Sequence, residues 1–206
     1  MKPVRVQFWS EMVYAEIAGR LPARLRRGPT KTKWTIADVM GELLRLPGHC
    51  SHVKQPQPAV HVWGLDPNEL LARERQIYAA AAHVKETYER RGRIHTRRQK
   101  RSTPVMLVAV ASWPEPTMAA SPERDEWQAR VIKAAKERWG DCFRAAYGHV
   151  DEGRFHLHLV VDDDGRPVKR LHLGHAYAAE VQSRGHARTH QATAYRIGCM
   201  AALDFY

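Results

Sequence analysis

Residues 143–161 read Phe143-Arg144-Ala145-Ala146-Tyr147-Gly148-His149-Val150-Asp151-Glu152-Gly153-Arg154-Phe155-His156-Leu157-His158-Leu159-Val160-Val161, the pattern of a β-hairpin. Two apolar, strand-like runs, Phe143 to Val150 and Phe155 to Val161, are separated by the polar stretch Asp151 to Arg154. Side chains alternate along a strand, so His156 and His158 share one face while Phe155, Leu157 and Leu159 point the other way, into a core. A four-residue turn sets His149 about opposite His156, and opposed residues project on the same side. Three imidazoles then converge on one point.

Working outward, Val105 to Trp113 is an apolar run of strand length, read as a central strand buried on both faces. Ser121-Pro122 has the form of a helix start, continued by Trp127, Val131, Ala134, Ala135 and Trp139 at helical spacing up to Gly140. Pro67 to Arg91, with Asp66 as cap, is rich in Ala, Glu, Arg and Leu and reads as one long helix ended by Gly92. Thr35 to Leu46 reads as a short amphipathic helix stopped at Pro47-Gly48, and Val60 to Trp63 as a short strand. After the turn Asp162 to Gly165, helices are expected over Ala176 to Arg184 and Thr189 to Phe205. Interspersed helices and strands with hairpin pairing predict an α+β fold, a central antiparallel sheet flanked by helices.

A chain of 206 residues, 44% of them apolar, is long enough to bury an ordinary core and is read as one domain, 1–206. Within it, 1–65 forms an N-terminal segment and 100–175 the core around the histidines. Lys and Arg number 33 against 22 Asp and Glu, a formal charge of +11, which suits a polyanionic partner. No stretch reaches the roughly 20 consecutive apolar residues of a spanning helix, so nucleic acid is a better partner than a membrane. Met1 to Arg5 lacks the order of a secretory signal. Cys50, Cys142 and Cys199 are odd in number and widely spaced, which argues against a disulfide framework or a thiolate zinc site and for a reducing cytoplasm.

Three neutral imidazoles can hold a divalent metal ion while leaving positions open for water or substrate, the arrangement of a catalytic site. His149, His156 and His158 are therefore the expected ligands, with Glu152 reaching the ion or holding a ligand. A hard carboxylate tilts the choice toward manganese, with magnesium or zinc as alternatives. His172, His175, His186 and His190 are read as surface or DNA-facing.

His149-Val150-Asp151-Glu152-Gly153-Arg154-Phe155-His156-Leu157-His158 resembles the His-x-Asp-Glu-x-x-Pro-His-x-His motif of MobV-type (Mob/Pre) plasmid mobilisation relaxases of the HUH endonuclease superfamily. The spacing agrees at all five motif positions, and Phe155 stands where that family usually has proline. The resemblance covers residues 100–175 well and the first hundred loosely. It implies a palm of about five antiparallel strands, a metal site, and strand-specific nicking and rejoining of single-stranded or supercoiled DNA at a transfer origin. It also implies a covalent protein–DNA intermediate and accessory mobilisation proteins as partners.

Relaxases of this type are thought to attack with an N-terminal histidine, and His52, then His49, are the candidates here. Tyr14, Tyr88 and Tyr195 compete, the last two in patterns read as helical, where tyrosine more often packs. Phosphate contacts are expected from Arg24, Arg26 and Arg27, from Arg45 beside the two histidines, and from Arg97, Arg98, Lys100 and Arg101. Trp9, Trp34, Trp63 and Trp113 include candidate base-stacking residues. The alternative functions are a rolling-circle replication initiator or transposase of the same superfamily with a tyrosine nucleophile, and an inactive DNA-binding accessory protein.

Overall fold

The histidine-bearing strand lies at the middle of a five-stranded antiparallel sheet. The computed structural model describes residues 7–14, 35–100, 103–116, 119–185 and 188–201. In chain order the elements are β1 (Gln7–Tyr14), α1 (Ile36–Leu43), β2 (Val60–Gly64), α2 (Pro67–Ala81), β3 (Lys85–Arg90), β4 (Arg93–Arg98), β5 (Pro104–Ser112), α3 (Pro122–Trp139), β6 (Phe143–His149), β7 (His156–Asp162), α4 (Leu173–Ser183) and α5 (Arg188–Ala201). The large sheet has the order β1-β5-β7-β6-β2, and β3 and β4 form a separate two-stranded ribbon. The fold is α+β, an antiparallel sheet flanked by helices.

The alternation of β7 divides the core. Leu157, Leu159 and Val161 face Trp127, Val131, Ala135 and Trp139 of α3. Val160, on the opposite face, packs with Ile36, Met40 and Leu43 of α1 and Leu70 and Ile77 of α2. His156 and His158 lie in the same row as Val160, so the α1 and α2 layer covers apolar side chains in the middle of the strand and histidines at its start. At the end of that row Asp162, fully buried, accepts from Arg73 and Arg144.

Local sequence explains the helices in this frame. Thr35 and Asp38 make a reciprocal capping box at the start of α1. Asp66 and Glu69 do the same for α2, with Pro67 in its first turn. Ser121 caps α3 by accepting from the Arg124 amide, and Pro122 follows.

The long helix expected over Pro67 to Arg91 stops at Ala81. The rest of that span is β3, which turns through Arg91 and Gly92 into β4. Both turn residues have positive φ, 53° and 70°, the geometry of a tight hairpin turn that glycine makes accessible. Glu and Arg favour helices weakly, and the cross-strand pairs Glu86–Arg97 and Tyr88–His95 outweigh that preference. Tyr88 is therefore a strand residue.

The apolar run 105–113 supplies β5, an interior strand between β1 and β7. The loop joining β6 to β7 spans six residues, Val150 to Phe155, two more than expected, because Val150 and Phe155 fall outside the ladder. α4 starts at Leu173, earlier than expected, and α5 is described to Ala201.

Candidate metal centre

The register of β6 and β7 sets His149 opposite His156 and Tyr147 opposite His158. The ring centroids of His149, His156 and His158 lie 5.1, 4.3 and 5.1 Å apart, and their ligating nitrogens all fall within 4.8 Å of one another. His149 is 1% and His156 7% exposed. Three buried imidazoles packed ring against ring are an expensive arrangement unless something gathers their lone pairs.

The hydrogen bonds fix which nitrogens are available. His149 Nε2 lies 2.9 Å from the Leu43 carbonyl, so it carries the proton and donates. His149 Nδ1 is then left with a lone pair, buried and without a hydrogen-bond partner. His156 Nδ1 lies 3.1 Å from the Arg154 carbonyl and donates likewise, freeing Nε2. A ring nitrogen that donates to a carbonyl while its twin is free is the usual preparation of a metal-ligating histidine, and the orphaned Nδ1 fits such an ion. Burial drives the His149 pKa down to about 4, against the pull of the Leu43 hydrogen bond. Burial and the two neighbouring histidines hold His158 well below the ordinary value. Both rings are thereby kept neutral, the form that binds a cation.

The end of α1 is docked onto this cluster. Leu46 N–H bonds to the Gly41 carbonyl and Arg45 N–H to that of Glu42, closing the helix with Arg45 at a φ of 55°. The conformation aims Arg45 inward. Its Nε and Nη2 donate to Asp151 Oδ2 and Oδ1 at 2.9 and 2.7 Å, and Nη2 also reaches Glu152 Oε1 at 2.6 Å. Arg45, expected to hold a phosphate, is buried and committed to these two carboxylates.

Glu152 is consequently shared. Burial raises its pKa, but Arg45 and the neighbouring histidines outweigh burial and hold it below the usual carboxylate value. Its Oε1 lies 3.5 Å from His52 Nε2 and 3.9 Å from His156 Nε2. It groups with His149 and Asp151 as potential ligand atoms, not with the three histidines together. With both acids tied to Arg45, the cluster is an all-imidazole donor set. That moves the expected ion from manganese and magnesium toward zinc, nickel or copper.

Of the two candidate nucleophiles, His52 stands at the cluster. Its ring is half-exposed, with Nε2 3.7 Å from Glu42 Oε1 and 3.5 Å from Glu152 Oε1. His49, exposed, lies over α1, where a Cβ on Gly41 would come within 2.3 Å of its ring. Tyr195 stacks flat on His172 at 5.7 Å, and Tyr88 stacks on His95. Only the backbone of Tyr14 is described, as part of β1.

Arg97, Arg98 and Lys100 are exposed on or just beyond β4, with Arg97 paired to Glu86. Arg24, Arg26, Arg27 and Arg101 lie outside the described residues, as do Trp34 and His186. Trp63 stacks on Phe143 at 4.4 Å, and Trp113 is 7% exposed and packs edge-on to Trp127, so neither is a free stacking platform.

Asp151, Glu42 and the inward turn of Arg45 were missed by sequence reasoning. A sequence signal existed for Asp151, an acid two residues after a candidate ligand histidine. For Glu42 and Arg45 none did, since their role depends on α1 crossing the sheet end. Phe155, standing at the motif proline's position, is 2% exposed and packs on Trp127 beneath Arg124. It anchors the turn by burial in place of a fixed φ. Among the described residues no helix is long and apolar enough to cross a membrane. No protein-family model, no curated protein and no solved structure matches the chain.

Proposed function

We propose that the chain is a metal-dependent DNA strand transferase of the relaxase type, which nicks single-stranded or supercoiled DNA at a transfer origin and rejoins it through a covalent intermediate. The observation that carries this reading is that one carboxylate oxygen, Glu152 Oε1, contacts both His156 of the histidine cluster and the half-exposed His52. A divalent cation on the three rings would polarise the scissile phosphate and offset charge on its oxygens.

The residues of the chain supply the remaining chemistry. His52 attacks phosphorus, a P–N bond forms, and the bond to the leaving sugar oxygen breaks. Attack uses the Nδ1 lone pair, and Glu42 or Glu152, both beside Nε2, takes the Nε2 proton that the ring then loses and returns it to the leaving sugar oxygen. Burial pushes the Glu42 pKa up, against His52 and Arg45, which makes it the better base of the two. The formal charge of +11 and the five-stranded antiparallel sheet with the histidine strand at its centre support the reading.

The test is incubation with labelled single-stranded origin oligonucleotides and Mn²⁺, Zn²⁺, Ni²⁺ or Mg²⁺ in parallel, followed by denaturing gels. An acid-labile covalent adduct, lost in His156→Ala and in His52→Ala, is the expected result. An acid-stable adduct that survives His52→Ala transfers the nucleophile to a tyrosine. Binding without any adduct makes the protein a DNA-binding accessory factor.

A further inference from the structure

A cleft of about 1150 Å³ opens at the other end of β7 from the histidines, roughly 20 Å along the strand. One wall is a single face of α4, on which His175, Ala178, Ala179 and Gln182 follow the i, i+3, i+4, i+7 spacing. The base of β3 and the loop from Asp163 to Arg170 supply most of the rest. That loop is held in place. Gly165 has a φ of 75° and lies so close to the end of α2 that a Cβ there would come within 2.6 Å of the Ala81 nitrogen. Its carbonyl accepts from Gln99 Nε2 at 3.0 Å, and the Arg166 N–H bonds to the Asp163 carbonyl at 2.8 Å.

The acids of the cleft are already neutralised. Asp163 accepts from Arg170 Nη2 at 2.6 Å, Asp164 from Arg73 and Arg144, and Glu86 from Arg97. Lys85, Arg166 and Lys169 line the same cleft and form no ion pair with a described residue. Three surplus cations around one concavity repel one another and focus a positive field inside it, which an anion relieves. His175 adds hydrogen-bonding capacity without a further charge, because burial, then Lys169, then His172 push its pKa down to about 4. Its ring is braced from behind by His172 and Tyr195, with centroids 5.2 and 4.9 Å away.

We propose that this cleft is a second binding site, for a nucleoside diphosphate, with the diphosphate held by Lys85, Arg166 and Lys169 and the base lying along α4 between His175 and Gln182. The volume is ample for such a ligand, since small-molecule sites begin at roughly 300 Å³. A guanidinium and two ammonium groups are the donors a diphosphate takes, the first as a planar fork and the others as point charges. Ala178 and Ala179 leave the middle of the helix face open for a flat ring. The Gln182 amide both donates and accepts, as pairing with a base edge requires. A DNA strand fits less well, because it spreads one charge per nucleotide along an extended path, whereas these three cations are gathered in one concavity.

The inference rests neither on nicking nor on the histidine cluster, and its test is run in EDTA. Isothermal titration calorimetry of the whole chain is carried out with ADP, CDP, GDP and UDP, then with inorganic pyrophosphate and with the nucleoside of the tightest binder. One diphosphate is expected to saturate at one equivalent, with pyrophosphate and the nucleoside each at least about tenfold weaker. The double variant Lys85→Ala/Lys169→Ala changes only exposed positions and is expected to lose about tenfold or more in affinity. Ala179→Phe, also at an exposed position, fills the cleft without altering charge and is expected to lose as much. Lys133→Ala, a charge loss on the solvated side of α3, is expected to bind within about twofold of the wild type. Matched thermal melts establish that the variants are folded. No saturation by any of the four diphosphates up to about 1 mM overturns the proposal. So does pyrophosphate binding as tightly as the best of them, or affinity unchanged in both cleft variants. A single-stranded oligonucleotide that displaces the nucleotide and is weakened by the same substitutions would assign the cations to DNA instead.

Discussion

Arg45 and Asp151, far apart in the chain, meet in a forked ion pair whose side chains are 2% and 1% exposed. The pair ties the end of α1 to the loop between β6 and β7, and Gln57 N–H completes the Asp151 carboxylate at 3.1 Å. Removing one partner leaves the other charge buried and uncompensated. Arg45→Ala is therefore expected to cost about 3–5 kcal/mol, against well under about 1 kcal/mol for Arg97→Ala at the exposed Glu86 pair. Urea unfolding of the two variants checks this, and equal small losses would show that the buried pair contributes no more than a surface one.

The histidine cluster predicts stabilisation by metal. An ion present at about 100 times its dissociation constant adds about 2.7 kcal/mol, which for a chain of this size raises Tm by about 5–10 °C. Zn²⁺ or Ni²⁺ is expected to produce the shift in chelator-stripped protein, EDTA to reverse it, and His158→Ala to abolish it. A shift that persists in His158→Ala would place the ion elsewhere.

Acid should weaken the metal-free fold through His149. Its folded pKa, about 4, lies below the ordinary 6.5, so above 6.5 both folded and unfolded chains are neutral there and nothing changes. Between 6.5 and about 4 the unfolded chain takes a proton that the folded ring refuses, and stability falls as pH falls, by about 3 kcal/mol in full. His158 acts in the same direction. Urea midpoints measured across this range in EDTA are expected to decline more steeply in the wild type than in His149→Gln. Parallel declines would rule His149 out as the source.

Gly148 and Phe155 form a coupled pair. A Cβ at Gly148 would lie 2.7 Å from the Phe155 ring. Gly148→Ala is expected to cost about 1–3 kcal/mol by overpacking and Phe155→Ala about 3–5 kcal/mol by loss of a buried ring. In the double variant the clash disappears, so the combined loss should fall short of additivity by about 1 kcal/mol or more. Strict additivity in denaturant melts would mean the ring moves aside freely.

The hairpin was legible because its information is local: the two-residue spacing of His156 and His158 and the polar turn specify a shared face without reference to the remainder of the chain. The caps at Thr35, Asp66 and Ser121 were legible for the same reason. The ribbon was not, because Lys85 to Arg90 is built from residues that suit a helix, and only pairing with Arg93 to Arg98 settles its conformation. Arg45 was misassigned from charge alone. Its left-handed φ after α1 turns the guanidinium away from solvent, and neither the angle nor the carboxylates it meets can be read from its neighbours in sequence.

The register of β6 on β7 has a consequence for how the protein matures. A slip of one residue between these strands would carry His156, His158 and Asp162 to the apolar α3 side, separate the two histidines from His149, and turn Leu157, Leu159 and Val161 away from Trp127 and Trp139. Burying those polar side chains in the α3 layer already disfavours the slipped alignment. An ion held by the three rings would add to that discrimination, since it would stabilise only the alignment of the hairpin in which His149, His156 and His158 coincide.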